Sequence, residues 1–197
     1  MSAELMPAAV FFGAIFTGNI LLSNYLGMCS FLSVSKEIKT STGLGAAVIF
    51  VMSVTSLLNW IVYHYLLVPL QLEYLRFIVF IVVIAAFVQL VEMIIERVSE
   101  GLYAALGIFL PLITVNCAIL GVSLFMVIRN YGLVASFFYG LGSGVGWFIA
   151  IIAMAGIRKK IAGANIPKGL EGAGIALVIT GMMALAFMGF SGMINIS

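Results

Sequence analysis

Apolar residues run through this chain in long blocks separated by short polar knots, and the blocks predict its elements. Read in order, they give membrane spans over roughly 8–35, 43–63, 75–95, 102–128, 134–157 and 173–194. A hydrocarbon core about 30 Å thick needs about 20 apolar residues per helix, so each block is long enough to cross. The knots are KEIKTST (36–42), the turn at 69–73, the acidic cluster of Glu92, Glu96, Arg97 and Glu100, RNYG (129–132) and the basic loop RKKIAGANIPKGLEG (158–172). Trp60, His64 and Tyr65 at the end of the second block form an interfacial aromatic cluster.

Two blocks are not plain helices. The first is too long and too polar for one helix. Its Asn19, Ser23 and Asn24, spaced i, i+4, i+5, are expected on one protein-facing face, and Gly27 with Cys29-Ser30 suggests a break before a short second half ending at Lys36. The fourth contains LGIFLPLITVNCAILGVS (106–123). There Pro111 removes a backbone donor and clashes with the preceding turn, so a straight helix is not expected. Thr114 and Asn116 bring hydrogen-bonding groups to membrane depth, where an unpaired polar group is expensive. Cys117 adds a soft, oxidisable ligand at the same depth, which suggests a buried site.

The two cysteines share a local setting. CSFLSVS (29–35) and CAILGVS (117–123) both fit C-x-x-L-x-V-S, 88 positions apart. Gly43-Leu44-Gly45 and Gly140-Leu141-Gly142 repeat in the same order. The chain therefore reads as two related halves, about 1–100 and 101–197, within a single membrane domain 1–197. Seven basic residues (Lys36, Lys39, Arg97, Arg158, Lys159, Lys160, Lys168) fall on one side of a six-span arrangement and two (Arg76, Arg129) on the other. The positive-inside rule puts the seven in the cytoplasm and both termini outside. Three spans per half make the repeats inverted about an axis in the membrane plane, which brings Cys29 and Cys117 to one depth. The expected fold is all-α: six transmembrane helices as two inverted three-helix repeats, with the first and fourth spans interrupted.

Composition agrees and narrows the class. With 64% hydrophobic and 8% charged residues in 197, a soluble core could not absorb the apolar surface. No basic segment precedes the first apolar run, so that span is expected to remain in the mature protein. The net charge of +2 follows from membrane topology and does not point to nucleic acid. No dinucleotide or Walker pattern stands in a fitting context; the 21 glycines read as close-packing surfaces, GLGSGVG (140–146) above all. Met182, Met183, Met188 and Met193 read as packing residues.

Two thiolates are half of a metal site, since iron–sulfur clusters and structural zinc usually take four protein ligands. The lone His64 lies at a membrane edge, so a cluster would borrow two ligands from a second copy or a paralogue. Backbone amides at the start of a half-helix, from the residues after each cysteine, would face the anionic cluster. The competing reading makes both cysteines small apolar fillers. Glu92, between Gln89 and Glu96 in the third span, is a candidate for a cation path, or else snorkels to the cytoplasmic edge. Asn116 and Thr114 are candidates for supporting the cysteine loop. Inverted repeats with broken helices also suit an autonomous secondary transporter, although thiols are not its usual midplane groups; a passive scaffold is a third reading.

Finally, LGMCSFLSVSK (26–36), ALGIFLPLITVNCAILG (105–121), YGLGSGVGW (139–147) and LAFMGFSG (185–192) resemble a known family nearly end to end. It comprises the paired six-span membrane subunits of the sodium-translocating NADH:quinone reductase and of the Rnf ferredoxin:NAD oxidoreductase. The resemblance implies a paralogous partner of opposite topology (the D-type subunit in the quinone reductase) and one [2Fe–2S] cluster at mid-membrane. Each member of the pair would supply two cysteines, here Cys29 and Cys117. It also implies electron flow from a cytoplasmic flavin/iron–sulfur NADH subunit towards a flavin subunit on the outer side, coupled to ion pumping in a bacterial inner membrane. Cys29-Ser30 and GSGVGWFIAIIAMAGIRKK (142–160) resemble the quinone-reductase branch. The short connection VPLQLEYLRF (68–77) is closer to Rnf.

Overall fold

The computed structural model describes residues 7–98, 110–163, 167 and 169–189, and all the regular structure among them is helical. In order these are α1 (Pro7–Ile15), α2 (Met28–Val34), α3 (Ile38–Val62), α4 (Arg76–Val98), α5 (Leu110–Thr114), α6 (Cys117–Ile128), α7 (Leu133–Ile161) and α8 (Ala173–Met188). A π turn, Tyr63–Leu67, extends α3, and a 3₁₀ turn, Glu73–Leu75, leads into α4. Four stretches are long and apolar enough to cross a membrane: Ile38–Leu67, Glu73–Ile94, Pro111–Ile128 and Leu133–Ile161. The 16-residue α8 is apolar but shorter, and positions 190–194 of the sixth expected span, Met193 included, lie outside the described residues. So do positions 102–109 of the fourth.

The molecule is built around α7, and its glycines explain how. Residues two apart on an α-helix are rotated by about 200°, whereas residues four apart nearly eclipse. In GLGSGVG this divides the glycines between opposite faces. Gly140 and Gly144 press on α3: a Cβ on Gly140 would sit 2.8 Å from Met52 O, and one on Gly144 2.8 Å from Ile49 Cα. Gly142 and Gly146 press on α1, where added Cβ atoms would lie 2.6 Å from Phe11 O and 3.0 Å from Ile15 O. Gly45 of α3 in turn receives the ring of Phe148. The pairs Gly45–Phe148, Ile49–Gly144 and Met52–Gly140 ascend on α3 and descend on α7, so these two helices are antiparallel. Between apolar helices in lipid, such close van der Waals approach is the main attraction available. Trp147, Phe31, Leu44, Met52 and Ile151 are fully buried around this seam.

By contrast, α4 buries one stripe, Phe80, Ile84 and Val88, and exposes Phe77, Ile78, Ile81, Val82, Leu90, Met93 and Ile94. That apolar face suits hydrocarbon or another subunit. Trp60 and His64 stack at 4.2 Å and 17° as an aromatic pair at the end of α3, where the interfacial cluster was expected.

Several expectations need correction. The break in the first span spans 16–27 and lies mostly upstream of Gly27, because α1 already ends at Ile15. Asn19, Ser23 and Asn24 share no helical face: Asn19 is buried, while Ser23 and Asn24 are exposed. In the fourth span α5 passes through Pro111, and the break falls at Val115 and Asn116, whose extended backbone (φ −75°, ψ 113°) starts the next helix. Met182 and Met188 are exposed on this chain and do not pack within it.

Candidate metal centre

Each cysteine stands at the beginning of a half-helix. The first segment is organised by Asn19, whose side chain replaces the bonds that the interrupted helix forgoes. Its Nδ2 donates to Ile15 O (3.1 Å) and to Gly146 O (2.9 Å), and its Oδ1 accepts from the amides of Leu21 (3.1 Å) and Leu22 (3.4 Å). The non-helical chain is thereby satisfied internally and tied to α7, as membrane depth demands. Leu26 then enters the notch at Gly121 of α6, where a Cβ would come within 2.5 Å of its Cδ1. Gly27 follows at φ +84°, and α2 begins, with Cys29 as its second residue.

The second segment turns on Asn116. Its side-chain Oδ1 accepts from the amide of Ala118 (3.0 Å), a capping bond that starts α6 at Cys117. The two segments meet directly. The backbone N–H of Gly27 donates to Cys117 Sγ (2.9 Å), Asn116 Nδ2 donates to Ser30 Oγ (3.1 Å), and Ser30 Oγ donates to Gly27 O (3.1 Å). Both cysteine side chains are free and exposed on this chain, so the thiols expected in a buried site face outward. Asn116 beneath them is buried.

The remaining candidates are elsewhere. Thr114 ends α5 one turn before Cys117 and is half-buried and engaged in an interaction. Glu92 is half-buried on α4, which packs against α5 and α6, and Glu96 one turn on is exposed. No group of three or more His, Cys, Asp or Glu side chains suited to a metal occurs among the described residues. Besides the amides expected from the residues following each cysteine, the N–H of Gly27, which precedes Cys29, reaches the sulfur of Cys117. Asn19, Ser30 and Trp147 are not among the site residues that the sequence suggests, although Asn19 and Ser30 stand in the expected irregular stretch of the first span. Trp147 Nε1, buried without a hydrogen-bond partner, lies 2.8 Å from where a Cβ on Gly27 would sit.

These features define a polytopic α-helical membrane protein whose broken helices bring two thiol-bearing helix starts together. The chain belongs to the Rnf-Nqr family: the family model described as "Rnf-Nqr subunit, membrane protein" matches residues 8–194. Similar proteins include the E subunit of the Na(+)-translocating NADH-quinone reductase of Aeromonas hydrophila, 54% identical over 185 residues (91% of this chain, 93% of that protein). The protein of the same name from Psychromonas ingrahamii is 52% identical over 194 residues (93% and 96%). The A subunit of the Na(+)-translocating ferredoxin:NAD(+) oxidoreductase complex of Acetobacterium woodii is 50% identical over 184 residues (93% and 96%).

Proposed function

We propose that this chain is the E-type membrane subunit of a sodium-translocating NADH:quinone oxidoreductase. In this reading Cys29 and Cys117 supply half the ligands of a [2Fe–2S] cluster shared with a paralogous, D-type subunit of opposite topology. The observation that carries it is the Gly27 N–H on Cys117 Sγ, which joins the two cysteine-bearing breaks into one locus. The donor set fits: two exposed thiols at helix starts, an amide directed at one sulfur, and no further ligand group among the described residues make half of a four-cysteine set. Exposure of both thiols suits ligation shared across a subunit boundary.

When bound, such a cluster supplies one-electron transfer. This chain's own residues do the rest: the cysteines hold it, the helix starts direct positive partial charge towards an anionic group, and α7 holds the first loop in place through Asn19. A location near mid-membrane would divide the electron's path across about 30 Å of hydrocarbon into two shorter steps. The remaining partners in this reading are a cytoplasmic flavin/iron–sulfur NADH subunit and a flavin subunit on the outer side.

The inverted repeat is supported by the antiparallel α3–α7 seam and by a reciprocal anchoring. Arg158 of α7 donates to Leu32 O in α2 (2.9 Å), while Trp60 of α3 donates to Tyr131 O just after α6 (2.9 Å). The seven-to-two basic asymmetry supports both termini lying outside the bacterial inner membrane. Glu92 on the cation path rests on its half-buried place on α4, the helix that packs against α5 and α6; Glu92→Gln should lower the activation of turnover by sodium, and unchanged sodium dependence would remove it.

The test is an electron paramagnetic resonance spectrum of the reduced, purified complex, beside that of this chain produced without its paralogue. A [2Fe–2S] signal in the complex and none in the lone chain is expected; a full iron complement in the lone chain would overturn the shared site and return the secondary transporter to consideration. The 50% identity to the Acetobacterium woodii protein supports a second reading, the A-type subunit of an Rnf complex. Reduction of the same signal by ferredoxin and not by NADH would select it.

A further inference from the structure

The contacts around the two breaks form a closed circuit. Gly27 donates its N–H to Cys117 Sγ (2.9 Å), and its carbonyl accepts from Ser30 Oγ (3.1 Å). Ser30 Oγ accepts from Asn116 Nδ2 (3.1 Å), and Asn116 is bonded covalently to Cys117. Every link is restricted. Ser30 is fully buried and Asn116 nearly so, and neither side chain is open to solvent that could replace a lost partner. Gly27 adopts φ +84°, and a Cβ there would lie 2.8 Å from Trp147 Nε1 and 3.0 Å from Asn116 Oδ1. The Gly27 carbonyl, which also accepts the helical N–H of Phe31 (3.1 Å), is thus held by Ser30 and Asn116 across two segments 86 residues apart, and through the shared Cα this restrains the neighbouring peptide unit that carries the Gly27 N–H.

We propose that Asn116 and Ser30 are positioning residues that set the reduction potential of the group held by Cys117, by aiming the Gly27 amide at its sulfur. The inference rests on the shared-cluster reading above. Its physical basis is general. One-electron reduction adds one negative charge to a thiolate-ligated cluster, and an N–H directed at a ligand sulfur stabilises the more negative state. Loosening the amide therefore lowers the potential and leaves the ligand set untouched.

The experiment is a redox titration of the intact purified complex, poised with mediators and dithionite and read by the paramagnetic signal of the reduced cluster. Ser30→Ala deletes one oxygen from the circuit. Asn116→Ser keeps a capping oxygen for Ala118 but is too short to reach Ser30. Both variants should retain the full signal, with reduction about tenfold less favourable, about 59 mV lower for one electron. The double variant should shift no further than the larger single shift, since one circuit is opened in each case. Ser53→Ala, which removes a buried hydroxyl that donates back to its own helix at Ile49 O, should leave the potential unchanged. Unchanged potentials in both variants, additive shifts in the double, or an assembled Ser30→Ala complex without any cluster would each overturn the positioning role. If the unaltered complex shows no signal that depends on Cys29 and Cys117, the shared-cluster reading fails and this inference with it.

Discussion

The two cysteine-bearing segments carry the same seven-residue motif but are supported by different means. Burial agrees at six of the seven positions: the cysteine is exposed, the next two residues are buried, the leucine is half-buried, and the final valine and serine are buried. Only Ser33 and Gly121 differ, the first exposed and the second filled by Leu26. Yet α2 starts from a left-handed glycine with no side-chain cap, after a long loop braced by Asn19. α6 starts from an asparagine that caps its own helix after a two-residue interruption at Val115 and Asn116. Equivalent positions in the motif thus need equivalent environments, whereas the support beneath them is free to differ. That freedom is used for cross-bracing, since Asn116 holds Ser30 and Gly27 holds Cys117.

If the motif positions are equivalent in function, the cysteines should be interchangeable in effect. On the shared-cluster reading, Cys29→Ala and Cys117→Ala should each abolish the cluster signal of the complex and stop electron flow beyond it, while the proposed peripheral NADH subunit still reduces artificial acceptors. The double variant should lose nothing further, because a site missing one of four ligands is already defective. Normal turnover in either single variant would break the equivalence at its root.

How much of this is legible in sequence follows the same division. The motif is local, and its spacing alone pairs the two segments. The glycine run on α7 is also readable as a packing surface, though its division between α1 and α3 depends on which helices lie on either side. The supports are not readable. Ile20, Leu21 and Leu22 look like helix, but they sit in a loop because Asn19 reaches Gly146. Pro111 looks like the break, but the structural break is at Asn116, where a side chain can cap the following helix. The Gly27–Cys117 bond joins residues 90 apart, and no spacing rule encodes it; the nearest signal is a glycine two positions before a cysteine. Outward-facing thiols escape a sequence reading because apolar surroundings do not distinguish a buried core from a surface meant for lipid or another chain.

The next comparison concerns the support itself. Gly27→Ala forces a side chain into left-handed backbone and against Trp147 and Asn116, costing about 1–3 kcal/mol from the backbone alone. Gly43→Ala, near the start of α3, meets no atom within 4 Å and should stabilise by roughly 0.5–1 kcal/mol through helix propensity. Thermal unfolding of the detergent-solubilised complex should therefore move down for the first and slightly up for the second. Equal shifts would mean that the left-handed glycine is not the support of the first segment.

The smallest expected difference lies at the last motif position. Ser35 and Ser123 are both fully buried, but only one is partnered across helices. Ser123 Oγ accepts from Asn59 Nδ2 of α3 (2.7 Å) and donates to Ile119 O (3.1 Å), whereas Ser35 Oγ has no hydrogen-bond partner. Asn59 already has an unpartnered Oδ1, so Ser123→Ala leaves both ends of its buried amide unsatisfied. An interhelical hydrogen bond in a membrane protein contributes on the order of 1 kcal/mol, and the stranded amide group adds to the loss. Removing the Ser35 hydroxyl strands nothing and deletes a buried polar atom, so Ser35→Ala should be neutral or mildly stabilising. Unfolding midpoints of the two alanine variants should diverge, with Ser123→Ala the lower. In an Asn59→Leu background the difference should shrink, because the amide that distinguishes the two serines is gone. Equal midpoints in the original background would mean that the two halves agree in support as well as in pattern at this position.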